Sequence, residues 1–541
     1  MDVKARERLS IDDLERARLE LQARIDATKT SNERNRLGQF ATPTALAVDI
    51  LSFAQNILEK RAPACPIRFL DPAFGSGAFY SALLRVFPAD QIARAWGCEI
   101  DPSYGQQAQV LWQDTKLGLD IQDFTRLTPP ADNNRRANLV ICNPPYVRHH
   151  HITSEDKVRL QNLVRRQNGI QLNGLAGLYV YFMLLAHHWM SDGGLACWLV
   201  PSEFMDVNYG KQIKRYLLNQ VQLVSIHRFD PDDVQFQDAL VSSAVVCFIK
   251  QKPATGQKVK FSYGGTLAAP QQTQLISIRD LDPAAKWTQL SQPRSSVSQP
   301  DTLRLSDLFV VKRGLVTGAN KFFILTPEQI AVHQLPTEFL TPILPGPRYL
   351  VENEIHADKN GQPLIEPRLF LLKCNLPEHV VQAEYPALWA YLQQGTEQNL
   401  HNRYICRHRT PWYNQEERPP APFLCTYMGR SQGRNDAPFR FLLNHSQATA
   451  PNVYLLLYPK PKLANTLARN PNAKRLVWQA LTQIPLSSLL TEGRVYGGGL
   501  HKLEPNELAN APFEGLEQQI PELKASVPSQ LQLPLWEGIN L

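Results

Sequence analysis

Between Phe69 and about Lys250 the chain repeats one pattern: a short apolar run, a polar motif, then an amphipathic segment. The runs occur in IRFLDPAFGSG, RAWGCEIDP, ANLVICNPPY, GGLACWLVPSEF, LVSIHRF and SSAVVCFIK. Strands alternating with helices predict an α/β fold, a mainly parallel, doubly wound sheet with helices on both faces. Ligands of such sheets sit beyond the carboxyl ends of the strands, and the polar motifs here follow apolar runs. Function is therefore expected at those motifs.

At 541 residues the chain exceeds what one core supports, so two or three domains are expected. Residues 1–33 are charged, with Leu9, Leu14, Leu19, Leu21 and Ile25 at helix-compatible spacings and Ser10 and Asp12 as candidate caps. They predict a helical extension that packs on the next domain. Residues 34–255 form the predicted sheet domain. The Gln-, Ser- and Pro-rich stretch 256–305, ending in QPRSSVSQP, reads as a linker. Residues 306–541 read as a second, mixed α+β domain with no internal repeat. No apolar run reaches the roughly 18 residues of a membrane span. The eight cysteines show no CxxC spacing, so free thiols in a reducing cytoplasm are expected. A formal charge of +7 permits a polyanionic partner without demanding one.

Three motifs in sequence order resemble parts of a nucleotide site. Asp71, Pro72, Ala73, Gly75 and Gly77 lie in a turn between an apolar run and the helical FYSALLRVF, where glycine lets the backbone approach a ligand. Glu99, followed by Ile100, presents a carboxylate at a strand tip, placed to accept hydrogen bonds from ribose hydroxyls. Asp123 and Phe124 offer a carboxylate for an adenine amino group and a ring for its face. Each alone could be a solvated loop. A nicotinamide-binding domain is the competing reading, but the full GxGxxG spacing is missing.

Asn143, Pro144, Pro145 and Tyr146 follow the run ANLVIC. The double proline stiffens the loop and leaves its carbonyls free as acceptors. The adenine amine is a poor nucleophile because its lone pair is delocalised. The Asn143 side-chain oxygen and the Pro144 carbonyl could each accept one N6–H and turn that nitrogen towards sp3 geometry. Tyr146 would stack on a base taken out of the duplex. With these residues the chain resembles the gamma-class DNA adenine-N6 methyltransferases of restriction-modification systems, the Eco57I-like and TaqI-like enzymes. The resemblance covers residues 34–250 motif by motif, and more loosely the rest through KRGLVTGANKFF and RVYGGGLHKLEPNEL. It implies a class I Rossmann-like methyltransferase fold, S-adenosyl-L-methionine as cofactor, and a target-recognition domain in the C-terminal half. It further implies that Gln39, Phe40 and Thr42 belong to the cofactor site, with Thr42 holding the carboxylate end. Tyr209, or failing it Phe204, is nominated as a second aromatic flanking the base.

In the C-terminal half, arginines alternate with aromatics, which predicts contact with double-stranded DNA through Arg407, Arg409, Arg430 and Arg434. Lys312 with Arg313, and His501 with Lys502, are two further patches. His149, His150 and His151 are read as an exposed loop near DNA, and no metal is expected. The family includes fused endonucleases, but this sequence shows no nuclease carboxylate-lysine cluster and its N-terminal helix is too short for a nuclease domain, so a separate cognate restriction endonuclease and action as a monomer on DNA are expected. Competing readings are a methyltransferase for RNA, protein glutamine or cytosine N4, and a catalytically idle specificity subunit.

Overall fold

The computed structural model describes residues 10–62, 65–230, 233, 242–291, 303–430, 437–496, 499–513 and 520. Arg434, QPRSSVSQP, Gly497, Gly498 and the tail from residue 521 lie outside the described residues. The chain divides into two compact units, Met1–Ser296 with Tyr496–Gly499, and Val297–Val495 with Leu500–Leu541.

The first unit begins with helices α1 (Ile11–Ala27), α2 (Ser31–Leu37) and α3 (Thr44–Arg61), then β1 (Ile67–Asp71), α4 (Ala78–Val86) and β2 (Ile92–Glu99). It continues through α5 (Pro102–Trp112), β3 (Leu117–Ile121), β4 (Ala137–Cys142), α6 (Ser154–Asn168) and α7 (Leu178–Ala186). Strand β5 (Met190–Pro201), α8 (Gly210–Asn219), β6 (Gln222–Arg228), β7 (Ser243–Ile249), β8 (Lys258–Gly265) and β9 (Pro270–Ser277) follow. The strands form one sheet in the order β3-β2-β1-β4-β5-β7-β6-β8-β9. β3, β2, β1, β4 and β5 run parallel, and β7 lies antiparallel between β5 and β6.

Side chains of a strand alternate between faces, and each face here meets its own helices. Phe69, Leu139 and Ile141 pack with Ile50 and Leu51 of α3 and Leu83 of α4. Leu70, Val140 and Cys142 pack with Val180 and Leu184 of α7 and Leu217 of α8. Truncating such a fully buried leucine to alanine typically costs about 2–5 kcal/mol.

The linker reading of residues 256–305 is corrected in its first part. Lys258–Gly265 pairs in parallel with β6, and Pro270–Ser277 pairs antiparallel with it at the sheet edge. Edge position explains the misleading composition: no position of β9 is fully buried, so glutamines and a threonine are tolerated along it. Helix α1 is capped by Ser10, whose Oγ accepts from the Asp13 N–H at 3.2 Å. Asp12 pairs instead with Arg85 at 2.7 Å. Leu21 and Ile25 of α1 are buried against Tyr104, while Leu19 faces solvent.

The second unit is α+β. Its main sheet has the order Phe309–Arg313, Tyr454–Pro459, Phe423–Thr426, Phe441–Asn444 and Glu354–Ile355. Phe423, Cys425, Leu455 and Leu457 meet residues of helices Pro461–Arg469 and Ala473–Thr482, whereas Leu424, Leu442 and Leu456 form a separate core with Ile355. A further core gathers Phe322, Phe323, Tyr391 and Tyr413. No helix among the described residues is long and apolar enough to cross a membrane.

Candidate active site

At the carboxyl ends of β1 to β4 the first unit opens into a cavity of about 610 Å³. Asp71, Gly75, Glu99, Ile100, Asp123 and Asn143 all line it, although they come from four different loops. Gln39, Phe40 and Thr42 reach it from the segment between α2 and α3, and Pro72, Ala73, Phe124 and Pro145 also line its wall, whereas Gly77, Pro144, Tyr146 and Tyr209 do not.

The glycine turn is held by carboxylates on its inner side. Asp71 ends β1 fully buried, and its Oδ1 accepts from the Ala73 N–H at 3.1 Å. Burial pushes the Asp71 carboxyl up to about 7, hydrogen bonds from Ala73 and the Cys142 thiol oppose the rise, and the Glu99 charge adds to it. Glu99, also buried and shifted upward for that reason, accepts from the N–H groups of Gly75 and Asp101, each at 2.8 Å. Gly77 starts α4 at φ +93°, where a Cβ would lie 2.7 Å from the Trp112 indole nitrogen and 2.8 Å from Phe74. It shapes the turn from behind and does not line the cavity. Ile100, by contrast, stands 66% exposed beside it, an apolar surface suited to an aromatic ligand ring.

Asp123 caps its own short turn, accepting from the Thr125 N–H at 2.9 Å and hydroxyl at 2.7 Å, and pairs with Arg159 at 3.5 Å. Phe124 is buried, its ring 5.5 Å from Phe182 and 5.4 Å from Trp189.

Asn143 follows directly on β4. Its Nδ2 donates to the Phe40 carbonyl at 3.2 Å and to Thr42 Oγ1 at 3.1 Å. A carbonyl only accepts, so the Phe40 contact fixes which end of the amide is nitrogen. The Asn143 Oδ1 is left buried with no hydrogen-bond partner. Such an orphaned acceptor costs about 1–3 kcal/mol and calls for a donor from outside the chain. Thr42, expected at the cofactor carboxylate, holds Asn143 in this structure. Gly38, at φ +67°, backs the same loop: its carbonyl accepts from the Tyr146 N–H at 3.3 Å, and a Cβ there would lie 2.4 Å from that nitrogen.

The two nominated stacking aromatics stand elsewhere than expected. Tyr146 is buried, donates its hydroxyl to the Leu199 carbonyl at 3.2 Å, and packs 5.6 Å from Phe40 without lining the cavity. Tyr209 is buried at the start of α8, bonded to Glu203 and 3.2 Å from the Tyr179 hydroxyl. Phe204, the alternative, is fully buried. Pro144 is buried. His149, His150 and His151 form a short turn after it, and His151 reaches the cavity.

A second set of residues escaped the sequence reading. Arg18 of α1, almost completely buried, binds Glu15 through Nε at 2.7 Å and Nη2 at 2.6 Å. Its remaining bonds go to Ser76 Oγ of the glycine turn and to Thr44, both at 3.2 Å. Lys29, just beyond α1, pairs with Asp101 and lies 4.5 Å above the Tyr104 ring, while Gln39 donates to Asp101 at 2.9 Å. Burial would raise the Asp101 carboxyl, but hydrogen bonds from Lys29, Ser103 and Gln39 hold it far below its ordinary range. Acid and base three residues apart on a charged helix look like any solvated pair, so only the fold reveals their role.

In the second unit, Arg313 lies 4.3 Å from the Tyr427 ring centre and Lys502 5.1 Å, with Lys502 also paired to Glu504 at 2.7 Å. His501 and Arg430 lie on the paired strands Met428–Arg430 and Leu500–Lys502. Lys312, Arg407 and Arg430 are exposed. Arg409 departs from its predicted DNA contact. Its guanidinium is taken up by the carbonyls of Val316 at 2.6 Å and Thr317 at 3.0 Å and by Gln415 at 3.0 Å, so it braces the KRGLVTGANK loop.

Residues 91–235 match the family model of the Eco57I restriction-modification methylase, and residues 288–532 match that of the C-terminal domain of the type II methyltransferase M.Eco57I. The chain belongs to the Eco57I-like restriction-modification methylases. This methylase is 27% identical to type II methyltransferase M.XamI of Xanthomonas campestris pv. amaranthicola, over 95% of its own length and 92% of that protein. It is 24% identical to type II methyltransferase M.AccI of Acinetobacter calcoaceticus, over 88% of its length and 85% of the relative. Among solved structures, the type IIL restriction-modification enzyme MmeI in complex with DNA covers 87% of the methylase, with 73% of that chain matched, a TM-score of 0.52 and 11% identity. The fold is therefore that of a class I S-adenosylmethionine-dependent methyltransferase followed by a second domain.

Proposed function

We propose that this methylase transfers a methyl group from S-adenosyl-L-methionine to N6 of adenine at a specific site in double-stranded DNA, with the base turned out of the helix. The observation that carries this reading is the unpartnered Asn143 Oδ1 at the cavity, held in place through Nδ2 by Phe40 and Thr42. An amine bearing two hydrogens is the donor that such an acceptor lacks. Asn143 Oδ1 takes one N6–H and the Pro144 carbonyl the other. Both draw the amine towards sp3 geometry and aim its lone pair at the cofactor side of the cavity.

The residues present fit the cofactor. Gly75 brings backbone to the cavity wall, Glu99 is the residue that would hold the ribose, and Ile100, Asp123 and Phe124, which also line the cavity, would hold the adenine. When bound, the cofactor supplies a sulfonium-activated methyl group. The chain's part is to position both partners and exclude water. Tyr146 stays the nominee for stacking on the base, which requires its hydroxyl to leave Leu199. The second unit, through the exposed Lys312, Arg407 and Arg430, grips duplex DNA. DNA as substrate is supported by the MmeI complex, which holds DNA. The biological role is cytoplasmic protection of host DNA, as a monomer, against a separate cognate endonuclease.

The test is single-molecule sequencing of DNA from a methylation-deficient host expressing the chain or its Asn143→Ala variant. N6-methyladenine at one short motif, absent with the variant, is the expected result. N4-methylcytosine alone, or no DNA mark from soluble cofactor-binding protein, rules the reading out.

A further inference from the structure

The second unit gathers nitrogen and oxygen donors that methyl transfer does not use. Glu354 and His356 flank Ile355 at the edge of the main sheet, so the period of two of an extended chain sets them on one side. Strand Glu354–Ile355 pairs in parallel with Phe441–Asn444, and the next residue, His445, donates its N–H to the Ile355 carbonyl at 3.0 Å. A third donor is thereby brought alongside. One ligand atom from each of Glu354, His356 and His445 lies within 4.8 Å of the other two. The imidazoles are parallel within 6°, their centres 5.8 Å apart, and His445 Nε2 is 3.0 Å from Glu354 Oε1.

We propose that Glu354, His356 and His445 form a binding site for a divalent transition-metal ion, with zinc as the best-matched ion. Two imidazoles and a carboxylate are the donor set zinc favours, and three protein ligands leave one position for water. Calcium and magnesium, which need six or more oxygens, do not fit. Tetrahedral ligation with bonds of about 2.0 Å places donors roughly 3.3 Å apart. From separations of at most 4.8 Å, the cluster closes to that spacing by side-chain displacements of no more than about 1.5 Å. In the metal-free protein the cationic position is taken by Arg475, whose Nη2 spans both Glu354 oxygens at 2.6 and 2.7 Å. The Arg475 side chain is 59% exposed, and an ion pair so exposed contributes little, so the metal displaces it into water. The bound ion would clamp a two-residue edge strand to its neighbour.

Zinc titrated into the full chain against a chromophoric chelator, with cobalt absorption to read the ligand field, tests this. The expected result is one ion held at micromolar or tighter affinity. His356→Ala and His445→Ala should each weaken it at least tenfold, and Arg475→Ala should tighten it by removing the competing cation. Because all three side chains are at least partly exposed, these variants fold. Joint replacement of His149, His150 and His151 by alanine should leave the affinity unchanged. Failure to retain zinc at micromolar concentration overturns the proposal. So does affinity indifferent to His356→Ala and His445→Ala, or lost only with the other three histidines.

Discussion

Replacing Arg18 by methionine removes a guanidinium that is almost wholly buried and leaves the Glu15 carboxylate, 6% exposed, facing the glycine turn with its cation gone. Breaking a buried pair from one side costs about 3–5 kcal/mol. An independent route gives a similar size. Burial pushes the pKa of Glu15 up, yet hydrogen bonds from Arg18, Ser81 and Thr44 outweigh it and bring the carboxyl from 4.5 down to about 2. That shift corresponds to roughly 3 kcal/mol at 1.36 kcal/mol per unit. A depressed carboxyl stabilises the fold above its unfolded value, so this contribution is complete above about pH 5 and vanishes as pH falls through 4.5 towards 2. Thermal unfolding of the full chain at pH 7 should show the first unit melting on the order of 10 °C lower in Arg18→Met. The double variant Glu15→Gln/Arg18→Met should recover most of that loss, because no uncompensated charge remains. Neither variant restores the bond to Ser76, so both should bind S-adenosyl-L-methionine about tenfold more weakly by calorimetry, in line with losing one charged hydrogen bond. A loss below 1 kcal/mol in Arg18→Met would show the pair to be effectively solvated. Wild-type cofactor affinity in the double variant would sever α1 from the site.

Asp71 keeps its proton to about 7 in the folded chain but releases it near 3.8 when unfolded, so stability falls as pH rises across that window. Asp71→Asn should therefore stabilise the cofactor-free protein by up to about 4 kcal/mol at pH 8 and very little near pH 4, read by denaturant unfolding; the opposite order refutes the shift. Gly38→Ala places a methyl against the Tyr146 nitrogen at positive φ and should cost about 1–3 kcal/mol, with kcat falling at least tenfold and cofactor affinity nearly unchanged. Lys312→Gln and Arg407→Gln should each reduce the slope of log K against log salt for DNA binding by about 1, whereas Arg409→Gln should lower the melting temperature and leave the slope alone.

The elements readable in advance were those whose chemistry is local. A strand of buried apolar residues followed by glycines or a double proline states its conformation within ten residues, and β1, β4 and the loops after them sit where the motifs point. What remained hidden depends on residues far apart. The polar strands β8 and β9 look like a connector because an edge strand needs only half its side chains buried. Thr42 turns towards Asn143, across 101 positions of sequence, and no spacing announces that. Arg409 and an arginine facing DNA have the same sequence signature, and only the carbonyls of Val316 and Thr317 distinguish them. Tyr146 is expected at the base from its place after the double proline, and Tyr209 from the family resemblance, whereas in the free chain each hydroxyl has a partner inside the protein.

The grip of Phe40 and Thr42 on Asn143 also orders events at the ribosome. The segment holding the amide is made about a hundred residues before the amide itself. Until β4 and β5 emerge, the apolar side of α3, with Leu46, Ile50 and Leu51, can meet β1 and α4 but lacks Leu139, Ile141, Leu195 and Leu199 of the central strands. A nascent chain stalled before residue 143 would therefore display sticky surface and no site, and slower translation through that stretch is where chaperone dependence should concentrate.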